Sequence, residues 1–233
     1  MIKMGIKDIF KKPWEHSDSK KRKKAVDNLN DQNILANIAK NDVSESVRAK
    51  AVKRIENQLI LTNIFKNTEE QENIRELALK RINDQIVLTN IAKNTEDTYF
   101  AEIAIMNIDN QNILEDIAKN SKIKSARTQA LKKISNPIVL VEIAKNDADE
   151  SVRAKAVKRI DNQNVLVDIA KNDVNASVRA KTVKRIDDQN VLVDIAKNDV
   201  DASVRAKAVK RITNPIVLLD IAKKRKVTKF LPK

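Results

Sequence analysis

The apolar positions of this chain fall into two short helical patterns that alternate with polar turns. Residues 151–160, SVRAKAVKRI, read as one helix and residues 164–172, NVLVDIAKN, as a second, and near copies of the pair recur from end to end. The polar-to-apolar step opening each second helix falls at Gln32, Gln58, Gln85, Gln111, Pro137, Gln163, Gln189 and Pro215. The spacing is 26 residues, except for 27 between Gln58 and Gln85, where NTEEQEN carries one extra residue. A fixed period of this size marks a solenoid, in which each unit buries its apolar face only by stacking on its neighbours. Helices of about ten residues are marginal alone, so the stacking must hold them.

Starts and stops are written into the same pattern. Ser44, Asp97, Asp149, Asn175 and Asp201 precede the first helices of successive copies and are residue types that cap the exposed amides of a first turn. Asn136-Pro137 and Asn214-Pro215 set a capping Asn ahead of a Pro at the first helical position, where no amide bond is lost. Second helices end in Lys-Asn, and Asn tolerates a left-handed closing turn. At the N-terminus Ile2, Ile6, Ile9 and Phe10 share a helical face that Pro13 ends, which together with Trp14 reads as a cap for the first unit. Lys3, Lys7, Lys11 and Lys12 around that face leave a membrane-surface helix as the alternative. Residues 19–29, SKKRKKAVDNL, are a degenerate first copy. The copies from Ser151 onward are nearly identical, whereas copy three carries Tyr99, Phe100, Ile103 and Met106 at positions polar or basic elsewhere. Local packing is the expectation there, and an apolar contact patch the alternative.

Stepping about 100° per residue from Val47, the apolar Val47, Ala51, Val52 and Ile55 fall on one side and Lys50, Lys53 and Arg54 on the other. Arg48 falls inside the apolar arc and needs a partner, because an unpaired charge out of water is costly. An acid lies six residues upstream in five copies: Asp42 for Arg48, Glu69 for Arg75, Asp147 for Arg153, Asp173 for Arg179 and Asp199 for Arg205. These pairs predict a ladder tying each turn to its own or the next helix, and the planar guanidinium suits it. The alternative is that these arginines bind a ligand directly. Thr95 faces Ala101 and Ser121 faces Arg127, so the ladder is expected to be weakest in copies three and four.

The outer positions predict a basic band: Lys50, Lys53, Arg54; Lys80, Arg81; Lys132, Lys133; Lys155, Lys158, Arg159; Lys181, Lys184, Arg185; and Lys207, Lys210, Arg211, interrupted at copy three. The second helices instead carry Asp116, Glu142, Asp168, Asp194 and Asp220 beside a Lys, so the net charge of +14 is segregated onto one layer. Either lysine is merely a good helix former on a solvated face, or the band attracts a polyanion. With no aromatic interleaving, nucleic-acid binding through it is expected to be phosphate-led and weakly sequence-specific.

The pattern D-x-x-x-x-V-R-x-x-A, as in residues 147–156 and 199–208, followed by an apolar second helix, resembles HEAT repeats, and in its short period the HEAT-like and leucine-rich-repeat-variant proteins of prokaryotes. The resemblance implies an all-α fold: a right-handed α-solenoid of about eight 26-residue two-helix units with an N-terminal cap helix. It assigns the interior-ladder role to the five acid and arginine pairs and would set the basic band on the concave surface. The period is shorter than a typical HEAT unit, so curvature does not carry over. Some HEAT-like proteins are enzymes, among them alkylpurine DNA glycosylases and phycobilin lyases, but none of their catalytic positions can be placed here.

Composition narrows the chemistry. With 42% hydrophobic and 33% charged residues the chain is of globular type, and one Gly and four Pro exclude Gly-rich phosphate loops and flexible linkers. Zero Cys excludes disulfides and thiolate metal sites and fits a reducing cytoplasm, the expected location. The longest apolar runs fall far short of a membrane span, and residues 1–15 do not read as a secretory signal. Asn175-Ala176-Ser177 matches a glycosylation acceptor by chance in an Asn-rich chain. The single His, His16, reads as a solvated loop residue, and no catalytic triad or zinc set can be drawn. The basic run in residues 223–230, KKRKVTKF, reads as a frayed terminus rather than an import signal. The expected organisation is a cap at 1–15, an array at 16–223 and a basic tail at 224–233. A non-enzymatic protein-interaction scaffold is the expected role, with nucleic-acid or other polyanion binding as the alternative and no catalytic residue, metal, cofactor or small-molecule substrate.

Overall fold

The computed structural model describes residues 11–228, with side chains as far as residue 223. The expected cap helix through Phe10, and the side chains of the basic tail, lie outside the described residues. Those residues hold sixteen α-helices and no strand. They fall into two compact units divided between Ile113 and Leu114.

In the first unit a short 3-10 turn, Pro13–Glu15, precedes α1 (Ser19–Val26), α2 (Gln32–Asn41), α3 (Glu45–Val52), α4 (Gln58–Lys66), α5 (Glu72–Leu79), α6 (Gln85–Asn94) and α7 (Thr98–Met106). The tight pairs are α2 with α3, α4 with α5 and α6 with α7, while α1, α3, α5 and α7 pack in succession. The second unit repeats the scheme with α8 (Gln111–Asn120), α9 (Lys124–Lys133), α10 (Pro137–Asn146), α11 (Glu150–Val157), α12 (Gln163–Asn172), α13 (Ala176–Val183), α14 (Gln189–Asn198), α15 (Ala202–Val209) and α16 (Pro215–Thr228). Its tight pairs are α10 with α11, α12 with α13 and α14 with α15, and α9, α11, α13 and α15 pack in succession. Each tight pair therefore joins the second helix of one copy to the first helix of the next, across a turn that opens Asn-Asp after α2, α10, α12 and α14 and Asn-Thr after α4 and α6.

That turn closes differently from the sequence expectation. No described residue has a positive φ, so Asn146, Asn172 and Asn198 simply end their helices. The next residue, Asp147, Asp173 or Asp199, is extended, and its N–H bonds back to the carbonyl of Ile143, Ile169 or Ile195. Its carboxylate accepts the amide two residues on, at 2.8 Å in each case, which bends the chain without a left-handed residue. Asp97, Asp149, Asn175 and Asp201 then cap the following helices through their side chains, whereas Ser44 makes no cap bond and contacts Ser46 Oγ instead.

The period-marking glutamines have a physical reason to recur. Gln58, Gln85 and Gln189 each accept a backbone N–H from the turn of the following copy, at Asn83, Asp109 and Thr213, and donate to a carbonyl there, at Arg81, Asn107 and Arg211. One side-chain amide thus satisfies a donor and an acceptor of the next unit.

Copy three resolves its two readings residue by residue. Phe100 and Ile103 are buried, with the Phe100 ring edge-on to Phe65 at 5.2 Å, while Tyr99 and Met106 are exposed. Tyr99 hydrogen-bonds Glu76, which raises the phenol above its ordinary pKa.

Candidate functional site

The first helices send their two kinds of cation to opposite sides. Val47, Ala51, Val52 and Ile55 are fully buried, Arg153 and Arg179 are buried among the equivalent residues, and Lys53, Lys158, Lys184 and Lys210 are exposed.

The inward arginines form a ladder whose rungs differ from the expected pairing. Arg153 Nη1 donates to the Asp147 backbone carbonyl six residues back at 2.8 Å, while Nε and Nη2 grip the Asp173 carboxylate twenty residues ahead at 2.8 and 2.9 Å. Arg127 with Asp147 and Arg179 with Asp199 repeat this geometry, as do Arg22 and Asp42 in the first unit. The acid six residues upstream supplies only its carbonyl because its carboxylate is turned to the arginine of the preceding copy. In consequence Arg127 is fully paired although Ser121 stands upstream of it, which corrects the expectation of weakness in copy four.

Glu69 is exposed, and it is Glu70 that meets Arg48, at 3.1 Å and 22 residues ahead rather than 20, in the segment NTEEQEN that carries the extra residue. Arg75 finds no acid at Thr95. Its Nε donates to the Phe65 carbonyl at 2.8 Å, and its guanidinium lies over the rings of Phe65 and Phe100 at 5.5 and 4.8 Å. Burial alone would push the Asp42 and Asp199 carboxyls up, but bonds from Arg22 or Arg179 and from the amides of Ser44 or Asp201 hold them below the ordinary value. Bonds to Asp42, Asp173 and Asp199 raise Arg22, Arg153 and Arg179 respectively above the ordinary guanidinium value.

The expected basic band is divided by the structure. Its arginines are not free: Arg54 donates to Leu29 O, Arg81 to Ile55 O, Arg159 to Leu131 O and Ile134 O, Arg185 to Val157 O, and Arg211 to Lys184 O and Ile186 O. Each donates to carbonyls at or just past the C-terminal end of the preceding first helix, where acceptors outnumber the amides left to meet them; Val157 O also accepts the Ile160 N–H. In copy three Asn107 does the same for Leu79 O and Ile82 O. Lys50 pairs with Asp27 and Lys80 with Glu76, Lys132 bonds Gln129, and Lys133 is also engaged. What remains in the second unit is a row on α11, α13 and α15: Lys155, Lys158, Lys181, Lys184, Lys207 and Lys210 form no ion pair among the described residues, though Lys155 reaches Thr128 Oγ1 at 3.4 Å.

The second helices neutralise themselves. Lys119 pairs with Glu142, Lys145 with Asp168, Lys171 with Asp194 and Lys197 with Asp220, at 2.5 to 3.2 Å. Lys145 and Asn172 hold the Asp168 carboxyl below its ordinary pKa, and Lys171 and Asn198 do so for Asp194. Sequence reading missed these pairings, together with Arg22, Glu70, Asn107 and the bonds that the period-marking glutamines make. The repeated offsets of 20 for arginine to acid and 23 for lysine to acid would have exposed the lysine pairings and Arg22.

A cleft of about 380 Å³ lies in the first unit, floored by Ala36, Ala39, Ile60 and Ile64 and rimmed by Lys40, Asn63, Asn67 and Glu70. Its one carboxylate is committed to Arg48. His16 is half-buried, its Nδ1 accepting the Asp18 N–H at 2.9 Å. Among the described residues no group of three His, Cys, Asp or Glu side chains could hold a metal ion, and no helix is long and apolar enough to cross a membrane. Comparison with protein-family models and with curated proteins finds no match to this chain.

Proposed function

We propose that this chain is a right-handed α-solenoid of HEAT-like repeats and acts as a non-enzymatic scaffold that binds an acidic protein partner across its first-helix layer. The observation that carries the reading is the division of charge in the second unit. Second-helix charges are tied into pairs, and the arginines of the first helices are spent on backbone carbonyls. Six lysines along α11, α13 and α15 are left to meet an outside ligand. Carboxylates of this chain that could do chemistry recur from copy to copy in structural contacts, which favours a scaffold over a catalyst.

The same six lysines favour a second reading, a nucleic acid or other polyanion held by its phosphates, since lysine meets phosphate as a point charge and reads no base edge. One set of variants separates the two. Lys158→Ser, Lys184→Ser and Lys210→Ser remove exposed cations without touching either arginine row, whereas Arg159→Ser would strip bonds from Leu131 and Ile134. Under the scaffold reading, a protein recovered from nuclease-treated source lysate is lost with the triple variant. Recovery that ignores these lysines overturns it. Under the second reading, duplex DNA binds at low salt with log K falling by about 0.9 per phosphate contacted, and the triple variant flattens the slope. No retention of duplex DNA at low salt overturns that.

A further inference from the structure

The inward arginine row of the second unit is open at one end. Arg127, Arg153 and Arg179 each place Nη1 on a carbonyl behind and Nε with Nη2 on a carboxylate ahead. Arg205 keeps the first half of this arrangement, with Nη1 donating to Asp199 O at 2.8 Å and Val200 O at 2.9 Å, so its fork is held in place. Its Nε and Nη2 have no acceptor among the described residues. Twenty residues ahead, where the earlier copies have Asp147, Asp173 and Asp199, the sequence has Arg225. The surface row ends in the same sense: Lys197 pairs with Asp220, but Lys223, next in the series, pairs with no acid among the described residues. Apolar side chains of the same two helices, α15 and α16, are left exposed by the described residues. Leu219 is 56% exposed, Ala222 is exposed, and Ala206 is exposed where its counterpart Ala154 is buried.

We propose that this face of α15 and α16 seats an amphipathic helix of a partner protein, led by a carboxylate just before its first turn that Arg205 grips through Nε and Nη2. That is the place and the chemistry of one further first helix with its Asp. A second copy of this chain is the wrong occupant. The first arginine of the row, Arg22, has His16 six residues upstream instead of an acid, and α1 carries exposed Lys20, Lys21, Lys23 and Lys24. A copy stacked head to tail brings like charge and no carboxylate in register. A carboxylate-bearing partner instead completes a bidentate pair already half oriented, which limits the entropy lost on docking. The surface is separate from the lysine row, so this inference stands or falls apart from the proposed function.

The test uses the full chain and, as probe, a synthetic peptide of residues 198–213, which holds Asp199 ahead of an apolar face of Val204, Ala208 and Ile212. The peptide should bind in trans. Asp199→Asn in the peptide, or Arg205→Gln in the chain, should each weaken binding by about tenfold, and the two together by no more than either alone, as coupled partners do. Leu219→Lys, which alters an exposed residue outside both arginine rows, should weaken binding to a similar degree while leaving the circular dichroism unchanged. Peptide binding indifferent to Asp199→Asn and Arg205→Gln, or no binding above that of a scrambled peptide, would overturn the proposal. So would concentration-dependent dimers in sedimentation that Arg205→Gln abolishes, because the occupant would then be a second copy.

Discussion

Each inward arginine divides its guanidinium between a carbonyl on one turn and a carboxylate on the next, and removing the carboxylate leaves a buried cation with half its bonds. Asp199 and Arg179 have side chains only 5% and 8% exposed, so water cannot replace the lost partner. Asp199→Ala is expected to cost about 3–5 kcal/mol, the range for breaking a buried pair by deleting one member. The pair also sets a pH response. The folded Asp199 carboxyl lies below its unfolded value, so its stabilisation is complete above about pH 4, the ordinary carboxylate value, and is lost as pH falls through the depressed folded value. Chemical denaturation at steps from pH 5 to 2 should show stability falling with acid, with a shallower fall in Asp199→Asn. Identical slopes would remove Asp199 from the account. The side on which Arg179 lies was legible in the sequence, because the 3.6-residue phase puts it among apolar residues. Its carboxylate was not, because the acid six residues upstream is also in contact, through its carbonyl, and spacing alone does not separate the two atoms.

At the scale of the helix, cap identity predicts more than cap bonding. Ser44 and Asp201 occupy the same register, yet Asp201 accepts from the amides of Ser203 and Val204 at 2.8 and 3.2 Å whereas Ser44 accepts from neither equivalent amide. Asp201→Ala should therefore cost about 1 kcal/mol and Ser44→Ala only a few tenths. Equal losses in urea melts would show that side-chain capping does not distinguish these helices. Helix starts were readable because Asp, Asn and Pro act through local geometry. The second-helix stop was misread for a tertiary reason: Asn tolerates a left-handed turn, but the Asp that follows holds the amide two residues on and an arginine from the preceding copy, and this fixes an extended closure. The glutamine marker shows the converse, a position visible in the sequence as punctuation whose role is a pair of bonds to the next copy.

For the molecule as a whole, the rows just described join neighbouring copies: arginine to an acid 20 residues on, arginine to carbonyls 25 to 28 residues back, and lysine to an acid one copy ahead. Stability built from such nearest-neighbour terms is distributed along the chain, and a local defect opens its own neighbourhood first. Leu192 on α14 tests this inside the second unit. It is fully buried in a cluster with Ala170, Val183 and Ile186, Val204 and Ala208, and Ile221, which belong to α12, α13, α15 and α16 and the turn after α13. Leu192→Ala should cost about 2.7–5 kcal/mol through the cavity it leaves. In native-state hydrogen exchange that loss should lower amide protection in α13 to α15 by about a hundredfold or more, while amides of α9 to α11 change by less than about tenfold. A uniform loss of protection across the unit would mean that it opens as one cooperative body. The same result would remove the nearest-neighbour rows as the source of its stability, because a defect confined to α14 would then be felt equally two copies away.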